Sequence, residues 1–116
     1  MQRKATKQSP APSAAAMRHL AWVKHRELCA ACGKYSQLIA HHCEGSTFRH
    51  NRAYIGPWFV IGICQDCDDI VTHGSRRAFR DIHGPQSEIW SRQFSEYNAQ
   101  DECPQEIQLA IEDWGR

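Results

Sequence analysis

The sequence predicts a small α+β domain stapled by one tetrahedral zinc, on three observations. Two CxxC pairs, Cys29 with Cys32 and Cys64 with Cys67, are separated by 31 residues. Between them lie two short runs rich in branched and aromatic side chains, and after them come two segments with apolar residues at helical spacing. A length of 116 residues suits one ordinary domain. The hydrophobic fraction of 41% and charged fraction of 23% are close to globular averages. No apolar run approaches the roughly 20 residues that cross a bilayer, so no membrane partner is expected.

Taken in chain order, residues 1–16 hold Arg3, Lys4 and Lys7, no acid, two prolines and several small residues. They lack the apolar stretch of an export signal and read as a disordered basic tail, which makes a cytoplasmic location the expectation. Of the 14 basic side chains, 11 remain outside the tail against 13 acidic ones, so the single domain expected over 17–116 is slightly acidic. Any nucleic-acid affinity must then come from local patches and the tail, because Lys and Arg contacts to phosphate supply most of it. "FRHNR" (Arg49, Arg52) and "SRRAFR" (Arg76, Arg77, Arg80) are the densest such patches, and the second reads equally as the solvated charged face of a helix.

"MRHLAWVKHRE", 17–27, has helical composition with Leu20 and Val23 three apart. "QLIA" (37–40) and "WFVIGIC" (58–64) favour strands. "QDCDDIVTH" runs without Pro or Gly until Gly74 and reads as a helix. Ile89, Trp90, Phe94 and Tyr97 mark a further helix, and Ile107, Ala110, Ile111 and Trp114 after Pro104 another, with both C-terminal helices falling at about 86–114. Their aromatic residues fit one buried stripe. His19, His25 and His83 read as surface or boundary residues, and Cys43 and Cys103 as small buried hydrophobes.

Six cysteines in an intracellular chain point to metal rather than disulfides. A two-residue gap lets both sulfurs of a pair reach one ion at about 2.3 Å, so Cys29, Cys32, Cys64 and Cys67 make a closed zinc site. Four thiolates leave no open position, and such a zinc is structural. Its role would be to clamp the hairpin against the helix that follows.

That clamp gives the pair His41 and His42 a setting. They end the first strand, while Asp68 and His73 lie on the helix it faces. Two imidazoles and a carboxylate around a divalent ion, with a further imidazole free to accept a proton from water, constitute the equipment of phosphodiester hydrolysis. Histidine suits the proton-accepting role because its ordinary pKa of about 6.5 lies near neutrality.

The stretches "HLAWVKHRELCAACG", "AHHCEG", "WFVIGICQDC" and "VTHGSRRAF" resemble the HNH family of ββα-metal nucleases, and within it small proteins of temperate phages akin to recombination-associated nucleases. The resemblance spans about 18–82. It implies a zinc-stapled ββα-metal core with an N-terminal helix and additional C-terminal helices. It further implies a metal-dependent endonuclease acting on DNA, with a recombination protein as a further partner. Position by position, His42 matches the general base, His41 the preceding metal ligand and His73 the ligand on the helix. Asp68 stands where many members have a metal-binding His, with Asp69 the alternative. A carboxylate there suits Mg²⁺ or Mn²⁺, with Ni²⁺ or Zn²⁺ as other candidates for the catalytic ion. The chain departs from the family in "GPWFV", which lacks the middle Asn, and Asn51 is the one asparagine in the preceding loop. Arg49, Asn51, Arg52, Arg76 and Arg77 are the implied nucleic-acid contacts. The competing expectation is an HNH scaffold without catalysis that binds nucleic acid or protein.

Overall fold

Residues 13–43, 49–50 and 53–114 are described by the computed structural model. Helix α1, Ala14–Lys24, starts at Ser13, whose hydroxyl accepts from the Ala16 amide at 3.1 Å. The helix thus begins inside the segment expected to be tail, and Ala16 is buried. The rest of that segment lies outside the described residues.

Strand β1, Ile39–His42, pairs antiparallel with β4, Val60–Ile63, in the register Ile39–Ile63, Ala40–Gly62, His41–Ile61 and His42–Val60. The first strand lies two residues later than its composition suggested, and the two histidines are its last two residues. The second starts later as well, because Gly56–Trp58 forms a 3₁₀ turn around Pro57. Between them β2, Arg49–His50, and β3, Ala53–Tyr54, make a separate small antiparallel ladder.

Cys64 opens α2, Gln65–Asp69, which continues as a π-helical turn over Ile70–Gly74. The sequence predicted one helix there, and the change of hydrogen-bond pattern midway is an added feature. Helix α3, Arg76–His83, follows at once, its first turn capped by the Ser75 hydroxyl accepting from the Ala78 amide at 2.9 Å. Helices α4, Gln86–Phe94, and α5, Gln105–Trp114, fall where the apolar spacing put them, except that α4 stops before Tyr97, which is buried in the turn that follows.

The hairpin's walls are buried. Phe59, Val60, Ile61 and Ile63 are fully enclosed, as are Phe79, Ile89 and Ile111 from the surrounding helices. A two-stranded sheet leaves strand edges unpaired, and α4 covers one of them with a side chain. The buried Gln93 amide donates to the Val60 carbonyl at 3.0 Å and accepts from the Gly62 amide at 2.8 Å. One turn earlier, the Trp90 indole donates to the Trp58 carbonyl at 2.6 Å. Gly62 also lets α1 approach, since a Cβ there would stand 2.9 Å from the Val23 carbonyl oxygen and 3.2 Å from the Leu38 and Val23 side chains.

His19 departs from the surface role predicted for it. It is completely buried on the α1 face that it shares with Ala16 and Val23, while Leu20 is only half-buried. Its ring stacks on Trp58 at 4.9 Å between centroids and meets Tyr97 edge-on at 5.1 Å. Aromatic partners from the 3₁₀ turn and the α4 end thus draw in a residue that composition alone would leave outside. Cys43 and Cys103 are buried, as expected.

Candidate metal centre and the strand-end histidines

The first cysteine pair sits on a tight turn. The Gly33 amide donates to the Cys29 carbonyl and the Cys29 amide to the Lys34 carbonyl, both at 2.9 Å. Gly33 takes φ of 78°, the left-handed conformation that glycine adopts without steric cost. The second pair straddles the start of α2, with Cys64 at the N-cap and Cys67 in the first turn. Helix start and turn meet: Cys29 Sγ lies 3.8 Å from Cys67 Sγ, and Cys32 Sγ lies 3.8 Å from Cys64 Sγ.

That spacing fits an ion. A tetrahedron of sulfurs at about 2.3 Å from zinc has an edge of about 3.8 Å. All four sulfurs lie within 4.8 Å of one another; among the described residues, no other group of three or more His, Cys, Asp or Glu gathers so closely. Electrostatics agrees with the geometry. Burial pushes the Cys29 thiol up, but the backbone N–H groups of Cys32, Cys64 and Ala31 outweigh it and bring the value down to about 7. Burial and then the three neighbouring sulfurs push Cys67 well up. Four clustered sulfurs cannot all ionise without a cation among them, and a divalent ion would supply the missing charge. Three of the four cysteines are buried, while Cys32 is exposed.

Next to Cys67 on α2, Asp68 turns toward β1: His41 Nδ1 lies 3.4 Å from Asp68 Oδ1, with the two side chains 16% and 17% exposed. The strand ladder fixes His41 opposite Ile61, and Cys64 anchors the helix one residue beyond β4, so both partners are held by the same hairpin. Burial lowers the His41 pKa, the nearby Asp68 carboxylate opposes that, and the adjacent His42 adds to it. A neutral imidazole is the form that ligates metal. Gln86, in the first turn of α4, hydrogen-bonds to His41 through its side chain and was not anticipated. No sequence spacing ties it to the strand; only the return of α4 over the hairpin does. His42 points the other way along the pleat and is exposed.

His73 lies in the π-helical turn, three-quarters exposed, with Nε2 4.0 Å from Asp69 Oδ1. The structure therefore joins His41 to Asp68 and places His73 beside Asp69. Arg76, Arg77 and Arg80 are exposed along α3. Arg49 belongs to β2, and Asn51 and Arg52 lie outside the described residues. His83, predicted as a surface or boundary residue, brings Nε2 to 3.7 Å from Cys67 Sγ. Among the described residues, no helix is long and apolar enough to cross a membrane.

A family model described as a protein of unknown function, DUF968, matches residues 8–99. No curated protein and no solved structure gives a significant match.

Proposed function

We propose that this chain, which belongs to the DUF968 family, is a metal-dependent endonuclease that hydrolyses phosphodiester bonds in DNA on a zinc-stapled ββα scaffold. The observation that carries the reading is the half-buried His41–Asp68 pair at 3.4 Å with exposed His42 next to it at the strand end. A structural zinc held by Cys29, Cys32, Cys64 and Cys67 accounts for the cysteines but gives no reason for this second cluster.

In this reading His41 and Asp68 hold a divalent ion, Mg²⁺ or Mn²⁺ by the hardness of the carboxylate, with His73 as third ligand. When bound, that ion neutralises phosphate charge and stabilises the leaving oxygen. His42, the last residue of β1 and open to solvent, takes the proton of the attacking water, both imidazoles serving one centre because the strand ends and twists there. Gln86 holds the His41 ring in place. Asp68 and His73 are five residues apart, and on an α-helix they would diverge by about 140°. The i→i+5 closure of the π-helical turn reduces that divergence, and the exposed His73 side chain has room to rotate. Arg76 and Arg77 follow immediately and suit backbone contacts to the nucleic acid.

The position of His73 beside Asp69 favours a second reading, in which the scaffold binds nucleic acid or protein and catalyses nothing. Titration of zinc-loaded protein with Mn²⁺, followed by calorimetry, separates the two. The nuclease reading predicts one further ion per chain in the wild type and its loss in Asp68→Ala. Zinc alone, with no further ion, would favour the binding module.

A further inference from the structure

His83 is the last residue of α3, and Gly84 then turns the chain with φ of 92°. The helix is exposed along most of its length and is anchored by Phe79, which is fully buried. The His83 ring lies against Phe79, 4.9 Å between centroids, so its direction is set by packing. That direction brings Nε2 to 3.7 Å from Cys67 Sγ. His83 is nevertheless outside the group of four ligand atoms that gather within 4.8 Å, so it stands beside the coordination sphere and not in it.

We propose that His83 is a positioning residue of the metal centre, donating its Nε2–H to the Cys67 thiolate and tying the end of α3 to the metal-bound cysteine pair. Four thiolates around a divalent cation carry a net charge of −2. A hydrogen bond to one of them delocalises that charge, and anionic sulfur accepts more strongly than a thiol. Donors behind metal ligands contribute roughly 10- to 100-fold in metal affinity. The same bond makes the seating of α3, and with it the exposed Arg76 and Arg77, respond to the metal. The inference rests on the four-cysteine zinc site and is independent of catalysis.

Two variants separate the hydrogen bond from the packing. His83→Phe keeps a ring against Phe79 but removes the donor; His83→Gln keeps an N–H donor of similar reach but removes the ring. Zinc affinity is measured by chelator competition on the full chain, and the thiolate-to-metal charge-transfer bands are read with Co²⁺ in place of zinc. Expected are a loss of about tenfold in affinity for His83→Phe, with the bands moved to lower energy as the sulfur becomes more electron-rich, and near wild-type values for His83→Gln. Equal affinity and bands for His83→Phe and the wild type would overturn the proposal, as would a His83→Gln variant weaker than His83→Phe. A wild type showing no tetrahedral thiolate–cobalt spectrum would overturn the zinc site itself, a distinct failure.

Discussion

His19 fills an aromatic box, and its two nitrogens are unequally served. Nδ1 lies 3.4 Å from the Pro57 carbonyl, whereas Nε2 has no hydrogen-bond partner among the described residues. The carbonyl selects the tautomer with the proton on Nδ1, so a second proton would place an unpartnered N–H inside the core. Burial accordingly lowers the pKa from 6.5 to about 4, with the Pro57 hydrogen bond opposing. Above pH 6.5 the ring is neutral both folded and unfolded, and full stability is present. Between 6.5 and about 4 the unfolded chain binds a proton that the folded chain refuses, so stability falls with pH and levels off below about 4. The loss amounts to about 3 kcal/mol. Urea denaturation of wild type and His19→Phe across this range should show the gap between them changing by that amount, and parallel curves would contradict it. The burial was illegible in the sequence because Leu20, next to His19, is the stronger hydrophobe, and of the aromatic partners only Trp22 is local while Trp58, Phe94 and Tyr97 are distant in the chain. Asp68 was legible as a companion of the strand-end histidines because it directly follows the second cysteine pair. Gln86 and His83 were not, since each meets its partner through the path of a helix and not through local spacing.

At the scale of elements, the hairpin and α4 depend on one another. Gln93 substitutes for a missing neighbour strand by pairing with both the Val60 carbonyl and the Gly62 amide in a buried place. An unsatisfied buried backbone group costs about 1–3 kcal/mol. Gln93→Leu keeps the bulk but leaves two such groups bare, and a fall of about 2–4 kcal/mol in unfolding free energy is expected by denaturant titration. A change below about 0.5 kcal/mol would mean that the strand edge finds other partners. The apolar period located α4 and α5 correctly because both bury a single stripe: Ile89, Trp90 and Phe94 in one, Ile107, Ala110 and Ile111 in the other. Helix α3 was legible only as a solvated charged face over "SRRAFR", because it buries only Phe79 and its N-cap is the single Ser75. The start of β4 is moved by the 3₁₀ turn at Pro57, whose ring fixes the backbone just before the branched residues begin. The π-helical turn has no composition signature of its own.

For the molecule as a whole, the four-cysteine cluster and the His41–Asp68 pair share one short helix, and the same hairpin holds both. The sulfur spacing meets the requirement of a tetrahedral zinc, whose binding would contribute on the order of 10 kcal/mol to folding, as much as the whole net stability of many domains. The pattern of paired cysteines makes that part readable from the sequence, since two equal gaps admit few other chemistries. The second cluster was readable only as residue types in order; its geometry depends on how β1 and α2 converge. The central claim is that the strand-end histidines perform hydrolysis. Its most direct test is cleavage of supercoiled plasmid and of single-stranded DNA by zinc-loaded wild type and His42→Ala, with and without Mg²⁺ or Mn²⁺, zinc content and helical signal being checked in both. The account predicts metal-dependent cleavage by the wild type and its loss, by at least about 100-fold, in a variant that keeps its zinc and its fold. Equal cleavage by both proteins, or none by either, would contradict it.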